Sequence, residues 1–185
     1  METQLLICVT GASGSIYAEK LFEVCRKNNI KFDLIASEYG KSVYKYEIGK
    51  NLSCESSGAE HIFLNSDMYN RAASGSNPYK AVIVIPSSMG TIGKAASGVT
   101  ENLINRAIDV GLKEEKKVVI CFRETPLNGI HLKNLSTLKD NGCSIFPLSP
   151  SFYFNQSSVD EVVINLIYRL LSLVGYDLDE KKRWS

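Results

Sequence analysis

Short apolar runs alternate with longer amphipathic stretches along the whole chain, and this alternation admits few architectures. Five runs are rich in β-branched or aromatic residues and show no alternating polar face: 5–9, 32–36, 81–85, 118–122 and 144–146. Runs of this kind are typical of parallel strands that are covered on both faces. Helical patterns follow over residues 15–27, 102–113, 130–141 and 159–174. The sequence therefore predicts an α/β fold, an open parallel sheet with helices on both faces.

Residues 49–80 interrupt this alternation with a polar stretch that is too long for an ordinary connection. The apolar part of the stretch is confined to residues 62–64. Two interpretations remain open: a lid, binding loop or oligomer contact, or a long surface excursion with one short strand. The full length, residues 1–185, fits a single domain.

Charge and cysteine content exclude several classes of protein. Lys and Arg number 21 and Asp and Glu number 20, and a net charge of +1 argues against a dedicated nucleic-acid binder. The five cysteines form no CxxC pair and the chain has two histidines, so no metal site is predicted. Cysteines inside apolar runs suit a reducing compartment, and no apolar run approaches the ~20 residues that span a bilayer. We expect a cytoplasmic protein with no membrane partner.

Glycines, small hydroxyl side chains and one arginine follow the predicted strands, at the sheet edge where α/β proteins bind ligands. These segments are 10–14 (TGASG), Ser37, 86–91 (PSSMGT), 123–126 (RETP) and 147–153 (PLSPSFY). Their composition suits a ligand with a phosphate and a planar ring. The glycine-rich turn can hold an anion at a helix N-terminus, but its spacing also fits an ordinary strand-to-helix turn. Ser37 stands where NAD would need a carboxylate for its ribose, which argues against that cofactor.

Several charged residues are candidates for the chemistry, and each also has an ordinary structural explanation. Arg106 and Lys113 share a helix face and can grip a phosphate, but a solvated helix face has the same pattern. Arg169 lies in an apolar helix, where its guanidinium either reaches water or meets an anion. Glu47 and Glu124 are candidate proton carriers, although most Glu side chains are simply solvated.

Taken together, these segments resemble the flavin prenyltransferase family, the UbiX/Pad1-like proteins, from Thr10 to Trp184. The most specific pair is NLINRAIDVGLK at 102–113 with RETPL at 123–127; TGASG, ASGS at 73–76, PSSMGT and PSFY at 150–153 accompany it. The resemblance implies a flavodoxin-like or Rossmann-like α/β domain that assembles as a homododecamer. It also implies transfer of a dimethylallyl group from dimethylallyl monophosphate to N5 and C6 of reduced FMN, without a metal. The product, prenylated FMN, would serve a decarboxylase of the UbiD type.

The resemblance also implies roles for individual residues. The FMN-binding set is Gly11, Ala12, Ser13, Ser37, Ser88, Met89, Gly90, Thr91 and Arg123, with Ser13 close to the reacting edge of the flavin. The set that holds the dimethylallyl phosphate is Arg106, Lys113, Glu124, Tyr153 and Arg169. Glu47 matches a carboxylate that handles protons during ring closure, so the implied catalytic residues are Ser13, Glu47, Lys113 and Glu124. Residues 73–76 and Trp184 complete the site, partly from neighbouring subunits.

Two positions depart from the family pattern. Ser87 stands where the family often has Cys, and residues 38–40 (EYG) replace a segment that is commonly rich in lysine and alanine.

Two other functions compete with prenyl transfer. A flavin-dependent decarboxylase of the phosphopantothenoylcysteine type would share the sheet and the FMN site. Members of that class have a PASANT-like turn and a catalytic histidine between the second and fourth strands. This chain has PSSMGT at the turn, and His61 is the histidine available in that region. An accessory subunit that only delivers FMN would not need Lys113, Glu124, Tyr153 and Arg169 together.

Overall fold

Six parallel strands form one sheet in the computed structural model of the chain, which describes residues 4–153 and 155–178. The strands are β1 (Leu5–Val9), β2 (Phe32–Ala36), β3 (Ile62–Leu64), β4 (Ala81–Ser87), β5 (Lys117–Phe122) and β6 (Ser144–Pro147). Their order across the sheet is β3-β2-β1-β4-β5-β6. The β1–β2 pair aligns Leu5 with Phe32 and Val9 with Ala36, and the other neighbours are parallel as well.

Helices cover both faces of this sheet. They are α1 (Ser15–Lys27), α2 (Glu38–Ile48), α3 (Cys54–Ser57), α4 (Met89–Ala96), α5 (Leu103–Lys113), α6 (Gly129–Asp140) and α7 (Val159–Leu173). Along β1, residues 5, 7 and 9 pack in one core with α1, α2 and α7, and residues 6 and 8 pack in the other with α4, α5 and α6. Because both faces are buried, the strands need no polar side, which explains their uninterrupted apolar runs. The predicted fold class is confirmed.

Three helices were not predicted from the sequence: the single-turn α3 and the longer α2 and α4. Within α2 the buried residues are Gly40 and Tyr44, and within α4 the buried residue is Ile92. In α2 such sparse burial leaves a weak apolar pattern, and in α4 the apolar residues Met89, Ile92, Ala95 and Ala96 span only eight residues. The polar stretch 49–80 contains the short strand β3, which the second interpretation of this stretch included. It also contains α3 and a 3-10 turn at Arg71–Ala73.

A buried carboxylate near the start of β2, Asp33, anchors that polar stretch. Asp33 is fully buried and accepts hydrogen bonds from Arg71 and from the Tyr79 hydroxyl (2.5 Å), and its Oδ1 lies 3.0 Å from His61 Nδ1. The Arg71 guanidinium also lies over the Phe63 ring, 5.4 Å from the ring centroid. A buried carboxylate needs partners of this kind, so the network fixes the path of the chain beside β3.

Removing this carboxylate is expected to destabilise the fold. Asp33→Ala leaves the buried Tyr79 hydroxyl and the Arg71 guanidinium without their acceptor, which lowers the free energy of unfolding by about 2–4 kcal/mol. Urea denaturation measures the loss. Asp140→Ala, at the exposed end of α6, is the matched control and stays within about 0.5 kcal/mol of the wild type. Equal stability of the two variants would contradict the anchoring role of Asp33.

The described residues contain no helix with both the length and the apolar character that crossing a bilayer requires. All five cysteines are free thiols; Cys54 is exposed and the other four are buried.

Candidate functional site

The order of the strands reverses between β1 and β4, because the chain extends the sheet on one side of β1 and then continues on the other side. Open α/β sheets bind ligands at such a switch point, beyond the carboxyl ends of the strands. A cavity of about 310 Å³ lies there. It is lined by Thr10, Gly11, Ser37, Tyr39, Asn65, Ser88, Gly90, Thr91, Lys94, Asn102, Ile104 and Asn105. Five residues of the predicted FMN-binding set thus meet in one cavity: Gly11, Ser37, Ser88, Gly90 and Thr91.

Three helices begin at the wall of this cavity. Ser37, Ser88 and Asn102 are the N-cap residues of α2, α4 and α5, and each side chain accepts a hydrogen bond from an amide in the first turn of its helix (3.0, 3.2 and 3.0 Å). The N-terminus of a helix carries a partial positive charge and amide groups that point outward. Three such ends around one cavity provide a favourable environment for a phosphate.

Close packing at the ends of β1 and β4 shapes the same cavity. The Thr10 hydroxyl donates to the carbonyl of Pro86 (2.9 Å) and accepts from the Ser88 amide (2.7 Å), which ties the two strand ends together. A Cβ atom on Gly11 would lie 2.6 Å from the Cβ of Tyr39. Gly11 is therefore needed for the close approach of the β1 turn to α2 rather than for an unusual backbone angle.

A second cluster of polar groups surrounds the turn between β1 and α1. Glu47 Oε2 accepts hydrogen bonds from the amides of Gly14 (3.0 Å) and Ser15 (2.7 Å). On the other side of the turn, Arg123 Nε donates to the carbonyl of Ser13 (3.1 Å). Gly14 has a φ of 116°, a conformation that favours glycine. The structure thus brings together three residues that the sequence analysis selected, Ser13, Glu47 and Arg123.

These hydrogen bonds also set the protonation of Glu47. Burial acts to raise the pKa of Glu47, but hydrogen bonds from Ser13, Ser15 and the Gly14 amide outweigh it and lower the pKa below its ordinary value. Glu47 is therefore a carboxylate at neutral pH, able to accept a proton beside the Ser13 turn.

The remaining residues predicted at this edge lie around the two clusters. The Ala12 amide donates to the Thr10 carbonyl (2.9 Å), and Met89 is the first residue of α4. Glu124 is the second residue after β5, and its Oε1 accepts a hydrogen bond from the Thr125 amide (3.0 Å). Tyr153 is exposed in the segment that follows β6. Each of these residues lies at the carboxyl edge of the sheet.

Lys113 lies at the opposite edge of the sheet. It is the last residue of α5, and β5 starts at Lys117, so Lys113 is close to the amino ends of the strands. A helix of 11 residues is about 16 Å long, which separates Lys113 from the cavity at the start of α5. Its Nζ lies 3.4 Å from Glu114 Oε1.

Arg169 shares this position at the amino edge. Helix α7 runs parallel to α1, because Asp160 at its start pairs with Lys20 (2.6 Å) and Tyr176 beyond its end packs against the core that contains Cys25, near the end of α1. Since α1 leads from the carboxyl edge to the amino edge, Arg169 near the end of α7 lies toward the amino edge.

Arg106 lies between the two edges, in the second turn of α5. Its Nε donates to the carbonyl of Ala73 (3.3 Å) and its Nη1 pairs with Asp109 (3.0 Å). The set that was predicted to hold the prenyl phosphate is therefore divided within one chain, with Lys113 and Arg169 at one edge and Glu124 and Tyr153 at the other. Trp184 lies outside the described residues.

Comparison of this sequence with known proteins identifies its family. The family model described as Flavoprotein matches residues 1–167. The flavin prenyltransferase UbiX of Methanocaldococcus jannaschii is 38% identical over 181 residues, which cover 98% of each chain. This chain belongs to the UbiX/Pad1-like flavin prenyltransferase family.

Solved structures of UbiX-like proteins have the same fold. The crystal structure of AnUbiX in complex with FMN and dimethylallyl pyrophosphate is 31% identical, with a TM-score of 0.93 and full coverage of both chains. The dodecameric FMN-dependent UbiX-like decarboxylase from Escherichia coli is also 31% identical, with a TM-score of 0.90 over 98% of this chain and 99% of that one.

The cavity of this UbiX-like chain has groups that fit FMN. The three helix N-termini suit the phosphate. Asn102 and Asn105 hold the wall in place by bonding to each other and, from Asn105 Nδ2, to the Thr91 carbonyl (3.1 Å). The volume of the cavity is within the usual range of small-molecule sites.

Seven residues that line this cavity are absent from the predicted FMN-binding set: Thr10, Tyr39, Asn65, Lys94, Asn102, Ile104 and Asn105. Thr10 does lie in the segment 10–14 that was predicted at this edge, and three of the others lie in the motif 102–113. A signal existed for Lys94, which follows Gly90 and Thr91 at helical spacing. Asn65 gave no signal, because it reaches the cavity through tertiary contacts: its carbonyl and Oδ1 accept from the amides of Leu103 (2.8 Å) and Ile104 (3.0 Å).

The structure also gives a reason for the family preference at Ser87. Ser87 is buried at the end of β4, and its Oγ has no hydrogen-bond partner within the described part of the chain. A buried position without a hydrogen-bond partner suits a thiol better than a hydroxyl.

Proposed function

We propose that this chain is a flavin prenyltransferase. It transfers a dimethylallyl group from dimethylallyl monophosphate to N5 and C6 of reduced FMN, and the prenylated FMN serves a UbiD-type decarboxylase. The observation that carries this proposal is the cavity at the β1–β4 switch point, flanked by the cluster of Ser13, Glu47 and Arg123. Its support is the identity of 31% over the full chain to a protein that binds FMN and dimethylallyl pyrophosphate.

FMN binding is assigned to the carboxyl edge of the sheet. Gly11, Ala12 and Ser13 present the β1 turn to the flavin, and Arg123 fixes the Ser13 carbonyl. Ser37 and residues 88–91 hold the phosphate end at the helix N-termini. When bound in its reduced form, FMN supplies the nucleophilic N5 and C6 atoms.

The second set of residues stabilises the leaving phosphate. The allylic C–O bond breaks with its electron pair going to the phosphate, so negative charge grows on the phosphate oxygens. Lys113 and Arg169 provide cations for that charge, Arg106 adds a third, and the Tyr153 hydroxyl donates a hydrogen bond. Glu124 completes this set, and Glu47 accepts a proton released during ring closure. Holding both substrates in one site raises their effective concentration.

The division of this set between two sheet edges requires more than one copy of the chain. Lys113 and Arg169 of one copy are assigned to the site that is built by the carboxyl edge of a neighbour. We propose the homododecamer of the Escherichia coli relative as the assembly that brings these edges together, with residues 1–185 of each copy as one FMN-binding domain. The free cysteines support a reducing compartment, the cytoplasm.

The decisive test is an anaerobic reaction with reduced FMN and dimethylallyl monophosphate, with the diphosphate in a parallel reaction. Released flavin is analysed by mass spectrometry, and FMN without a prenyl donor is the control. A flavin heavier by one prenyl unit is the expected result. Bound but unchanged FMN with both donors would contradict prenyl transfer and favour the decarboxylase or the flavin-delivering subunit.

A further inference from the structure

Lys94 brings a positive charge to the wall of the cavity at the switch point. Within the part of the chain that the structure describes, it is the one residue with a formal charge among those that line this cavity. It lies on α4, four residues after Gly90 and three after Thr91, and both of these also line the cavity. Residues at these spacings share one face of a helix.

The direction of the Lys94 side chain favours contact with a ligand in the cavity. Side chains on a helix tilt toward its N-terminus, and the N-terminus of α4 is at the cavity wall. Gly90 lies between Lys94 and the start of α4, and the space beside it is open. A Cβ atom added to Gly90 would meet only the Ser88 hydroxyl, at 3.9 Å. The Lys94 ammonium can therefore reach the group that the three helix N-termini attract.

The Lys94 ammonium also has a partner that a bound anion would displace. Its Nζ pairs with Glu101, a half-exposed carboxylate in the connection between α4 and α5, one residue before the N-cap Asn102. A phosphate that enters the cavity meets the negative charge of Glu101 near the same ammonium. The two anions then compete for one cation.

We propose that Lys94 exchanges Glu101 for the phosphate of FMN and so makes the site selective for FMN over riboflavin, which lacks the phosphate. The inference rests on the proposed function, because it takes FMN as the ligand. While the cavity holds no anion, Glu101 balances the positive charge of Lys94. A phosphate that binds must break this ion pair, which weakens its binding.

Binding of two flavins tests this inference without any measurement of prenyl transfer. Lys94→Met keeps the length and helix propensity of the side chain and removes its charge. We expect the affinity for FMN to fall about 10- to 100-fold, as for loss of a hydrogen bond to a charged group, while the affinity for riboflavin changes less than about twofold. Lys133→Met, exposed on α6, is the matched control and binds both flavins like the wild type.

The partner of Lys94 gives a second and opposite effect. Glu101→Gln removes the competing anion, so we expect the affinity for FMN to rise about two- to fivefold at low ionic strength, and the affinity for riboflavin to stay constant. Equal losses for both flavins in Lys94→Met, or no loss for either, would overturn the inference. So would weaker FMN binding in Glu101→Gln. Wild-type protein that bound neither flavin would refute the proposed function as well, so the two failures are distinguishable.

Discussion

Two inactive variants, Lys113→Ala and Glu124→Ala, are expected to recover prenyl transfer when their subunits are mixed. In a fully exchanged 1:1 mixture, about one quarter of the sites receive an intact Lys113 from one copy and an intact Glu124 from another. The mixture should therefore reach about one quarter of the wild-type rate, whereas each variant alone stays at background. Mass spectrometry of the released flavin measures the product.

The physical reason is the distance between the two residues in one chain. Lys113 precedes β5 and Glu124 follows it, and a strand of six residues spans roughly 20 Å. The two residues lie at opposite ends of the sheet, so under the proposed function one site takes them from two copies. Because both substitutions are outside the cavity lining, FMN binding by each variant is expected to stay close to that of the wild type.

The control mixture combines substitutions at the same edge. Glu47 and Glu124 both lie at the carboxyl edge, so a mixture of Glu47→Gln with Glu124→Ala supplies no site with both residues intact. This mixture should stay inactive. Subunit exchange is verified by native mass spectrometry before the rates are compared. Background activity in the exchanged Lys113→Ala and Glu124→Ala mixture would show that one chain supplies both residues.

The sheet could be predicted from the sequence because every residue of β1, β2 and β4 is buried. Burial on both faces forces apolar side chains at successive positions, and helix α1 gave an equally strong pattern that matches its observed bounds. Helices α2 and α4 could not be found in this way. They contribute few buried side chains, and their role is to present their first turns to the cavity.

The residues of the site could be named from the sequence, but their grouping could not. The resemblance placed Lys113 and Glu124 in one set, and the pattern of strands and helices placed Glu124 at the carboxyl edge. The position of Lys113 follows from chain direction, because the helix that precedes a parallel strand ends beside the amino end of that strand. Lys94 was missed for another reason: residues 86–91 were interpreted as a turn, so the helix that places Lys94 on the same face as Gly90 was not recognised.

Replacing Glu47 with Gln is expected to give the largest loss of rate with the least change in structure. The Gln side chain keeps an oxygen that accepts from the amides of Gly14 and Ser15, so the turn around Ser13 and the binding of FMN are preserved. It cannot accept a proton, and loss of a general base lowers kcat by about 10²- to 10⁴-fold. Steady-state rates, with FMN affinity measured in parallel, separate the two effects.

Glu47→Ala is the comparison that separates proton transfer from positioning. It removes the acceptor as well as the charge, so the amides of Gly14 and Ser15 lose their partner. We expect FMN binding to weaken in this variant in addition to the loss of kcat. If Glu47→Gln instead kept kcat within about threefold of the wild type, Glu47 would not act as the base. Its role would then be limited to capping the N-terminus of α1.

The pH dependence of the wild-type rate gives an independent check with a defined sign. The pKa of Glu47 is lowered in the folded chain, so the unfolded state binds the proton more readily and the carboxylate stabilises the fold above its ordinary pKa of 4.5. That contribution is lost as the pH falls through the lowered value. Titration of Glu47 should therefore leave the rate unchanged around neutral pH and lower it only below pH 4.5, where the protonated side chain can no longer accept a proton. In Glu47→Gln this acidic decline should be missing from the rate profile, because no group remains at that position to titrate.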